Sequence, residues 1–563
     1  MKNKASNSRS LRGINRVGES CLLRSLSPIA MFLIVGLIIL RGTLHVCLAQ
    51  NKPNILFIMS DDHTSQAFGI YGSRLSSLNP TPIIDQLARE GIIFDQVFCN
   101  NAICTPSRAS ILTGQYPQTN GVLDLHGHLP FEQQYLPLEM KKLGYETAVI
   151  GKWHLKDAPE AFDHYEVLPL QGKYHNPIFY ARDGQEVKEV KFGKLGVRKV
   201  AVNHYQGHSS DIITDLSIQW LTKQRDTTKP FLLFHQFKAP HDHFEFAERY
   251  ADYLEDAYIP EPASLYQVGQ HGSIATRGED DALIHDIGSS VGMRNAIRGM
   301  GRSLKLDLDP ADPEYQHKAY QEYLKRYLRC VKGVDDNVGR LLDCLKETGL
   351  YESTLIIYTS DQGFFLGEHD YIDKRWMYEE AMRMPFIVHY PQGFAQGVRT
   401  DVLINNTDFA PTLIELAGGL APAYMQGRSF KKLLLSGEEP EDWRQSTYYR
   451  YWMHMGSRHG NPAHFGLRSK QYKLIFFYGK YWKPKAQIVP DGWGRYDFDT
   501  PAAWEFYDLA RDPEEMQNEY ANPRYAQIIA EMKAELRRKR RSLGEDDTHF
   551  PHIQAVIDEH WND

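Results

Sequence analysis

The chain alternates between short, uninterrupted apolar runs and longer stretches in which apolar residues return every three or four positions. Ile55-Leu56-Phe57-Ile58-Met59 is one such run, and it closes on Asp61-Asp62. Runs of this length with polar residues at their ends fit strands covered on both faces. Similar runs recur at Thr147–Ile150, Phe231–Phe237, Leu355–Tyr358 and Pro385–His389. Between them, helical periodicity predicts helices over Thr81–Gly91, Leu136–Leu143 and Gln321–Gly349. Strands alternating with helices predict an α/β domain with a mostly parallel sheet flanked by helices. Chemistry in such a domain sits beyond the carboxyl ends of the strands.

The pattern changes twice. Residues 253–315 carry glycines, mixed charges and little periodicity, which predicts an insertion or long loop. After about residue 440, Tyr448–Met453, Tyr472–Tyr478 and Trp504–Leu509 read as aromatic strands, followed by a helix over Ala526–Ser542. We therefore expect a main domain over 50–440 and a smaller C-terminal α+β subdomain with an antiparallel sheet over 441–563. The N-terminus differs again: basic residues from Lys2 to Arg24 precede an apolar run from Ile29 to Leu40, then Cys47-Leu48-Ala49. This order predicts a signal peptide over 1–49, and hence a secreted or periplasmic protein. The apolar run is too short to span a bilayer comfortably, so no stable membrane insertion is expected after cleavage.

Composition adds limits. The 563 residues, 42% hydrophobic and 24% charged, can bury a large core and more than one domain. Net charge is −7, and −13 once residues 1–49 are set aside (57 basic against 70 acidic side chains). That balance argues against nucleic acid as a partner, and an anionic substrate would need positive charge gathered locally. Cys99, Cys104, Cys330 and Cys344 do not make a disulfide framework. Pairing of Cys99 with Cys104 is nonetheless open.

Several short motifs carry candidate chemistry. Cys104-Thr105-Pro106-Ser107-Arg108 opens a helix with proline in its first turn, and the i to i+4 spacing puts Cys104 and Arg108 on one face. Free amides, the positive helix end and a guanidinium there suit a nucleophile attacking an anionic ester. Asp61-Asp62 and Ser360-Asp361-Gln362 each end a buried strand and offer an all-oxygen set suited to Ca²⁺ or Mg²⁺. Gly151-Lys152-Trp153-His154, Ala239-Pro240-His241 and Asp373-Lys374-Arg375 lie after or between predicted strands. Taken singly, each of these last three is more often an ordinary surface or satisfied polar residue than a catalyst.

Together, Cys104-Thr105-Pro106-Ser107-Arg108 and Leu112-Thr113-Gly114 resemble the signature of type I sulfatases, and the other motifs follow in that family's order. The resemblance spans about residues 52–515. The run Gly363–Asp370, then Lys374–Glu380, resembles carbohydrate sulfatases: N-acetylglucosamine-6-sulfatases, iduronate-2-sulfatases and bacterial polysaccharide sulfatases. It implies an alkaline-phosphatase-like fold and hydrolysis of a sulfate monoester of a carbohydrate. It implies a maturation enzyme that oxidises Cys104 to formylglycine, the nucleophile when hydrated. It also implies one Ca²⁺ held by Asp61, Asp62, Asp361, Gln362 and the modified Cys104, although Gln362 stands where asparagine is commoner. Arg108, Lys152 and Lys374 would bind sulfate, His241 would protonate the leaving alcohol, and His154 would take the proton from the remaining hydroxyl. His369 and His464 would reach the sugar. Two other readings stay open: a phosphatase or phosphodiesterase of the related superfamily, and a non-catalytic glycan-binding protein with Cys104 unmodified or paired to Cys99.

Overall fold

Each uninterrupted apolar run is a strand of one large sheet. The computed structural model of the protein describes residues 52–563 apart from 192–195, 268, 270, 291–303 and 493. The expected signal segment over 1–49 and part of the expected insertion over 253–315 lie outside the described residues. At the centre, Thr354–Ser360, Asn54–Asp61, Phe231–Pro240, Glu146–Lys152 and His164–Leu168 run parallel in that spatial order. Ile55, Phe57 and Met59 enter one core, and Leu56 and Ile58 enter a second on the opposite face. Alternate side chains of a strand point to opposite faces, so an unbroken apolar run is what two covered faces require.

Around this parallel centre, as expected for the α/β domain, antiparallel pairs join on both sides, while the short strands Val398–Thr400 and Ile404–Asn405 pair parallel with Ile92–Phe98. Arg383–His389 runs antiparallel to both Thr354–Ser360 and Ile92–Phe98. The chain between Ser360 and Arg383 makes no helix long enough to cross the sheet, and a return without a crossover gives antiparallel pairing. At the other edge, Ile178–Ala181, Glu186–Lys191 and Val197–His204 pair as an antiparallel set.

The helix Tyr315–Glu347, about 50 Å long, buries Tyr320, Tyr323, Tyr327, Val331, Val334 and Val338 against the sheet. A four-stranded antiparallel sheet follows, in the order Ser446–Tyr451, His464–Ser469, Tyr472–Phe477, Ala503–Asp508. The helix Ala526–Ser542 packs on it through Ile529, Met532 and Leu536. Residues Pro53–Asp563 form one compact unit. Among the described residues, no helix is long and apolar enough to cross a membrane.

Candidate active site

Parallel neighbours end on the same side of a sheet, so Asp61, Lys152, Pro240 and Ser360 arrive together. A regular strand would send Asp61 and Asp62 to opposite faces. Asp62 instead adopts φ 65°, a left-handed conformation that aspartate tolerates better than most residues. The carboxylate oxygens of Asp61, Asp62 and Asp361 consequently lie within 4.8 Å of one another. The turn is held from behind by Tyr327, whose hydroxyl donates to the Asp62 carbonyl at 2.8 Å and accepts from the Thr64 amide at 3.1 Å.

Cys104 opens the helix Cys104–Thr113, every residue of which is buried. Gly114 closes the helix at φ 64°, its amide donating to the Ser110 carbonyl at 2.9 Å, as a left-handed C-terminal cap does. The Cys104 Sγ lies 3.4 Å from Asp61 Oδ1. Burial pushes its thiol pKa up to about 12, although Lys374 and Arg108 draw it down. Cys99 and Cys104 are both free and buried, so the structure contains no bridge between them.

Arg108 ties three strand ends together. Its Nε donates to Asp361 Oδ2 at 2.9 Å, and its Nη1 donates to the Lys152 carbonyl and to Gln236 Oε1, both at 2.8 Å. Its Nη2 is buried with no hydrogen-bond partner, 4.0 Å from Asp61 Oδ1. Lys152 is ion-paired with Asp61, and Lys374 with Asp62 at 2.5 and 2.7 Å. His241 Nε2 lies 3.7 Å from Asp62 Oδ2, while its Nδ1 is 2.8 Å from the Asp242 carbonyl. Gly151 makes the Lys152 strand possible: it has φ 109°, and a Cβ there would overlap the Gln236 carbonyl oxygen.

The donor set fits a hard divalent cation. Burial pushes Asp62 up to about 7, with Lys374 opposing and Asp361 and Asp373 adding to the rise. Three clustered, desolvated carboxylates repel one another, and a cation relieves that cost. Gln362 donates its amide to Asp62 and leaves its buried Oε1 without a hydrogen-bond partner, a fourth oxygen donor beside the carboxylates. With oxygen as the prevailing donor, the set favours Ca²⁺ or Mg²⁺ over zinc.

A cavity of about 960 Å³ opens on Cys104, His241 and Lys374. Lys152 and His154 do not line it. His154, at φ 58°, lies in the wall of a different cavity of about 670 Å³ with Trp153, Leu170 and Trp482. Its carbonyl accepts from Thr105 Oγ1 at 3.0 Å, and its imidazole pKa is held well down by burial and by Lys152. His241 is likewise held down by burial, Lys152 and Lys374.

His369 and His464, expected at the sugar, do not line the cavity. The buried His369 ring stacks on Tyr378 at 4.9 Å and lies edge-on to His271 at 4.5 Å. His464 sits between Tyr449 and Trp376, with its Nδ1 2.8 Å from the Pro462 carbonyl. Aromatic packing between the two sheets absorbs both imidazoles. In the other direction, sequence reasoning passed over Gln236, Lys238 and Arg375. A signal existed for the first two: His235, Gln236 and Lys238 interrupt an otherwise apolar, fully buried strand.

Comparison with known proteins agrees with this arrangement. Residues 53–420 match the sulfatase family model, and residues 367–485 and 495–542 match the C-terminal model of N-sulphoglucosamine sulphohydrolase. The chain is 35% identical over 530 residues to an N-acetylglucosamine-6-O-sulfatase of Bacteroides thetaiotaomicron, covering 88% of each. It is 26% identical over 458 residues to human N-acetylglucosamine-6-sulfatase, covering 77% of this chain and 73% of that one. A solved structure in complex with its substrate, D-glucosamine-2-N,6-O-disulfate, superposes with a TM-score of 0.73 at 34% identity, over 88% of this chain and 99% of the other. A phosphonate monoester hydrolase from Silicibacter pomeroyi shares the fold at TM-score 0.65 and 21% identity, over 87% of this chain and 95% of the other. The chain belongs to the sulfatase family and is a sulfuric ester hydrolase.

Proposed function

We propose that this protein removes the 6-O-sulfate from a glucosamine or N-acetylglucosamine residue of a sulfated carbohydrate. One observation carries the reading: Cys104 faces three clustered carboxylates, with Arg108, Lys152 and Lys374 gathered around them. The sugar is supported by the N-acetylglucosamine-6-O-sulfatase relative and by the solved structure holding a 6-O-sulfated glucosamine. Asp61, Asp62, Asp361 and Gln362 would hold a divalent cation, which we take to be Ca²⁺. When present, a hydrated formylglycine at position 104 supplies a hydroxyl nucleophile, and the bound cation polarises a sulfate oxygen.

The chain's own residues do the rest. Lys374 keeps its proton because, against burial, Asp62, Cys104 and Asp373 together raise its pKa, and it meets the sulfate as a cation. Arg108 presents its unpartnered Nη2 and fixes Asp361 and the Lys152 backbone in one geometry. Lys152 meets Asp61 from the buried side, where burial and then Lys238 hold its pKa well down. A sulfate entering beside His241 brings the negative charge that favours its imidazolium, which then donates to the leaving oxygen. His154, held neutral, serves as a base. Residues 1–49 we read as an export signal, placing the mature enzyme outside the cytoplasm, and 441–563 as a subdomain that closes one wall of the site.

The test is sulfate release from N-acetylglucosamine-6-sulfate by protein co-expressed with a formylglycine-generating enzyme, alongside mass spectrometry of the Cys104 peptide. We expect the aldehyde at position 104, sulfate release that chelation abolishes, and no turnover of N-acetylglucosamine-6-phosphate. An active protein bearing an intact thiol, or a preference for the phosphate ester, would overturn the reading.

A further inference from the structure

The cavity beside Cys104 holds more positive charge than one sulfate ester requires. Its walls carry five lysine and arginine side chains against three carboxylates, although the chain as a whole is net negative. One of these cations, Lys374, is committed to Asp62. The next residue, Arg375, lines the same cavity. Successive residues of a regular strand cannot both face one cavity. Here Asp373 at φ 76° and Arg375 at φ 93° break the alternation, conformations that are unfavourable for side chains of this kind.

Arg375 is also built in, at 4% exposure. Its Nε lies 3.3 Å from Asp373 Oδ2, and its Nη1 is buried without a hydrogen-bond partner. Asp373 does not serve Arg375 alone: it lies 3.6 Å from the Lys374 Nζ and is ion-paired with His459. One carboxylate thus anchors three cationic or proton-accepting groups. Ser457-Arg458-His459 reaches the cavity from the loop between two strands of the C-terminal sheet, itself bent by positive φ at Met455 and Ser457. A guanidinium with an open donor, lining the same cavity as an exposed arginine, matches a planar or tetrahedral anion.

We infer that Arg375, with Arg458 and His459, forms a second anion-recognition element, so that the preferred substrate carries another sulfate or a carboxylate near the ester that is cleaved. The inference rests on the proposed sulfatase reading and narrows its substrate class to doubly anionic sugars.

The matured enzyme is assayed on glucosamine-6-sulfate, on glucosamine-2-N,6-O-disulfate, and on 6-sulfated N-acetylglucosamine linked to a uronate. We expect kcat/KM to be tenfold or more higher for at least one doubly anionic substrate than for the monosulfate. Preference for the disulfate places the second anion on the same ring; preference for the uronate conjugate places it on the neighbouring one. Arg375→Gln should reduce that preference at least tenfold, mainly through KM. Arg458→Gln, at an exposed position that folding tolerates, should reduce it at least threefold. Equal turnover of all three substrates by the wild type, or an equal loss on all three in both variants, would overturn the inference while leaving the sulfatase reading intact. Release of sulfate from none of them would overturn the parent reading instead.

Discussion

Arg108 shows how much of this site depends on the shape of one side chain. Its fork reaches Asp361, the Lys152 carbonyl and Gln236 from a single planar group. Lysine carries the same charge but one point donor, so Arg108→Lys leaves at least two of these acceptors without their partner. We expect kcat to fall by roughly 10²–10³ with folding retained, which steady-state kinetics and a thermal melt will check together. Charge alone would explain the site only if the lysine variant kept more than about a tenth of the activity. The clustering of Asp61, Asp62 and Asp361 was readable at this scale, because Asp61-Asp62 and Asp361 follow apolar strands directly. Arg375 was not, because its approach to the cavity depends on backbone angles at Asp373 and Arg375 that periodicity does not encode. The ring contacts of His369 and His464 were not legible either, because a histidine's residue type is the same whether it meets a sugar or a tyrosine ring.

At the scale of elements, two contacts set the positions of the strand ends. Gly151 lets the Glu146–Lys152 strand pass close to the Gln236 carbonyl. Gly151→Ala adds both a backbone penalty at φ 109° and a steric clash, so we expect a loss of about 2–4 kcal/mol in a urea melt, with activity lost first. A glycine at the end of a strand was visible in the sequence, but its reason was not. The second contact is Asp335 on the long helix, which accepts from the Ile83 and Ile84 amides and caps the helix Pro82–Arg89. Burial raises the Asp335 pKa to about 7, with the two amide bonds opposing. The folded state therefore holds this proton longer than the unfolded chain does. Its contribution favours folding at acid pH and is lost as pH rises from about 4 to 7. Asp335→Asn removes the proton, so wild type and variant should diverge by up to about 1.4 kcal/mol per pH unit across that window. Parallel melts at pH 5 and pH 8 measure it, and a constant difference would refute the assignment. The strands themselves were legible almost to their ends, since burial on both faces writes itself as an unbroken apolar run. The parallel centre followed from the alternation of strands and helices, whereas the antiparallel direction of flanking strands did not, because it depends on whether the chain crosses the sheet between them.

For the whole molecule, the C-terminal segment locks onto the rest through buried charge. Asp547 bridges Arg450, fully buried and 3.4 Å from the Trp452 ring centre, and Arg540. The basic stretch Arg537–Arg541 thus includes an internal strut. Asp547→Ala leaves two desolvated guanidinium groups without their carboxylate, a change expected to cost about 3–5 kcal/mol and visible as a lower Tm. A Tm within a degree or two of wild type would show the pair to be dispensable. The small C-terminal sheet was legible as a run of aromatic strands, whereas the long-range pairing of charges was not, since nothing local marks Asp547 as a partner of Arg450. One arrangement in the main sheet has a consequence in time. The first described strand, Asn54–Asp61, lies at its centre, and Ser60 is bonded to Ser360, 300 residues further along. At roughly 5–20 residues per second, that partner does not exist until about 15–60 s after the first strand has been made. Throughout that interval the carboxylates of Asp61 and Asp62 have no Asp361, and the helix bearing Cys104 has no wall to close against. The thiol that is sealed in the finished protein is therefore open while the chain is young, and an enzyme that alters it has its freest access before the strand Thr354–Ser360 is made.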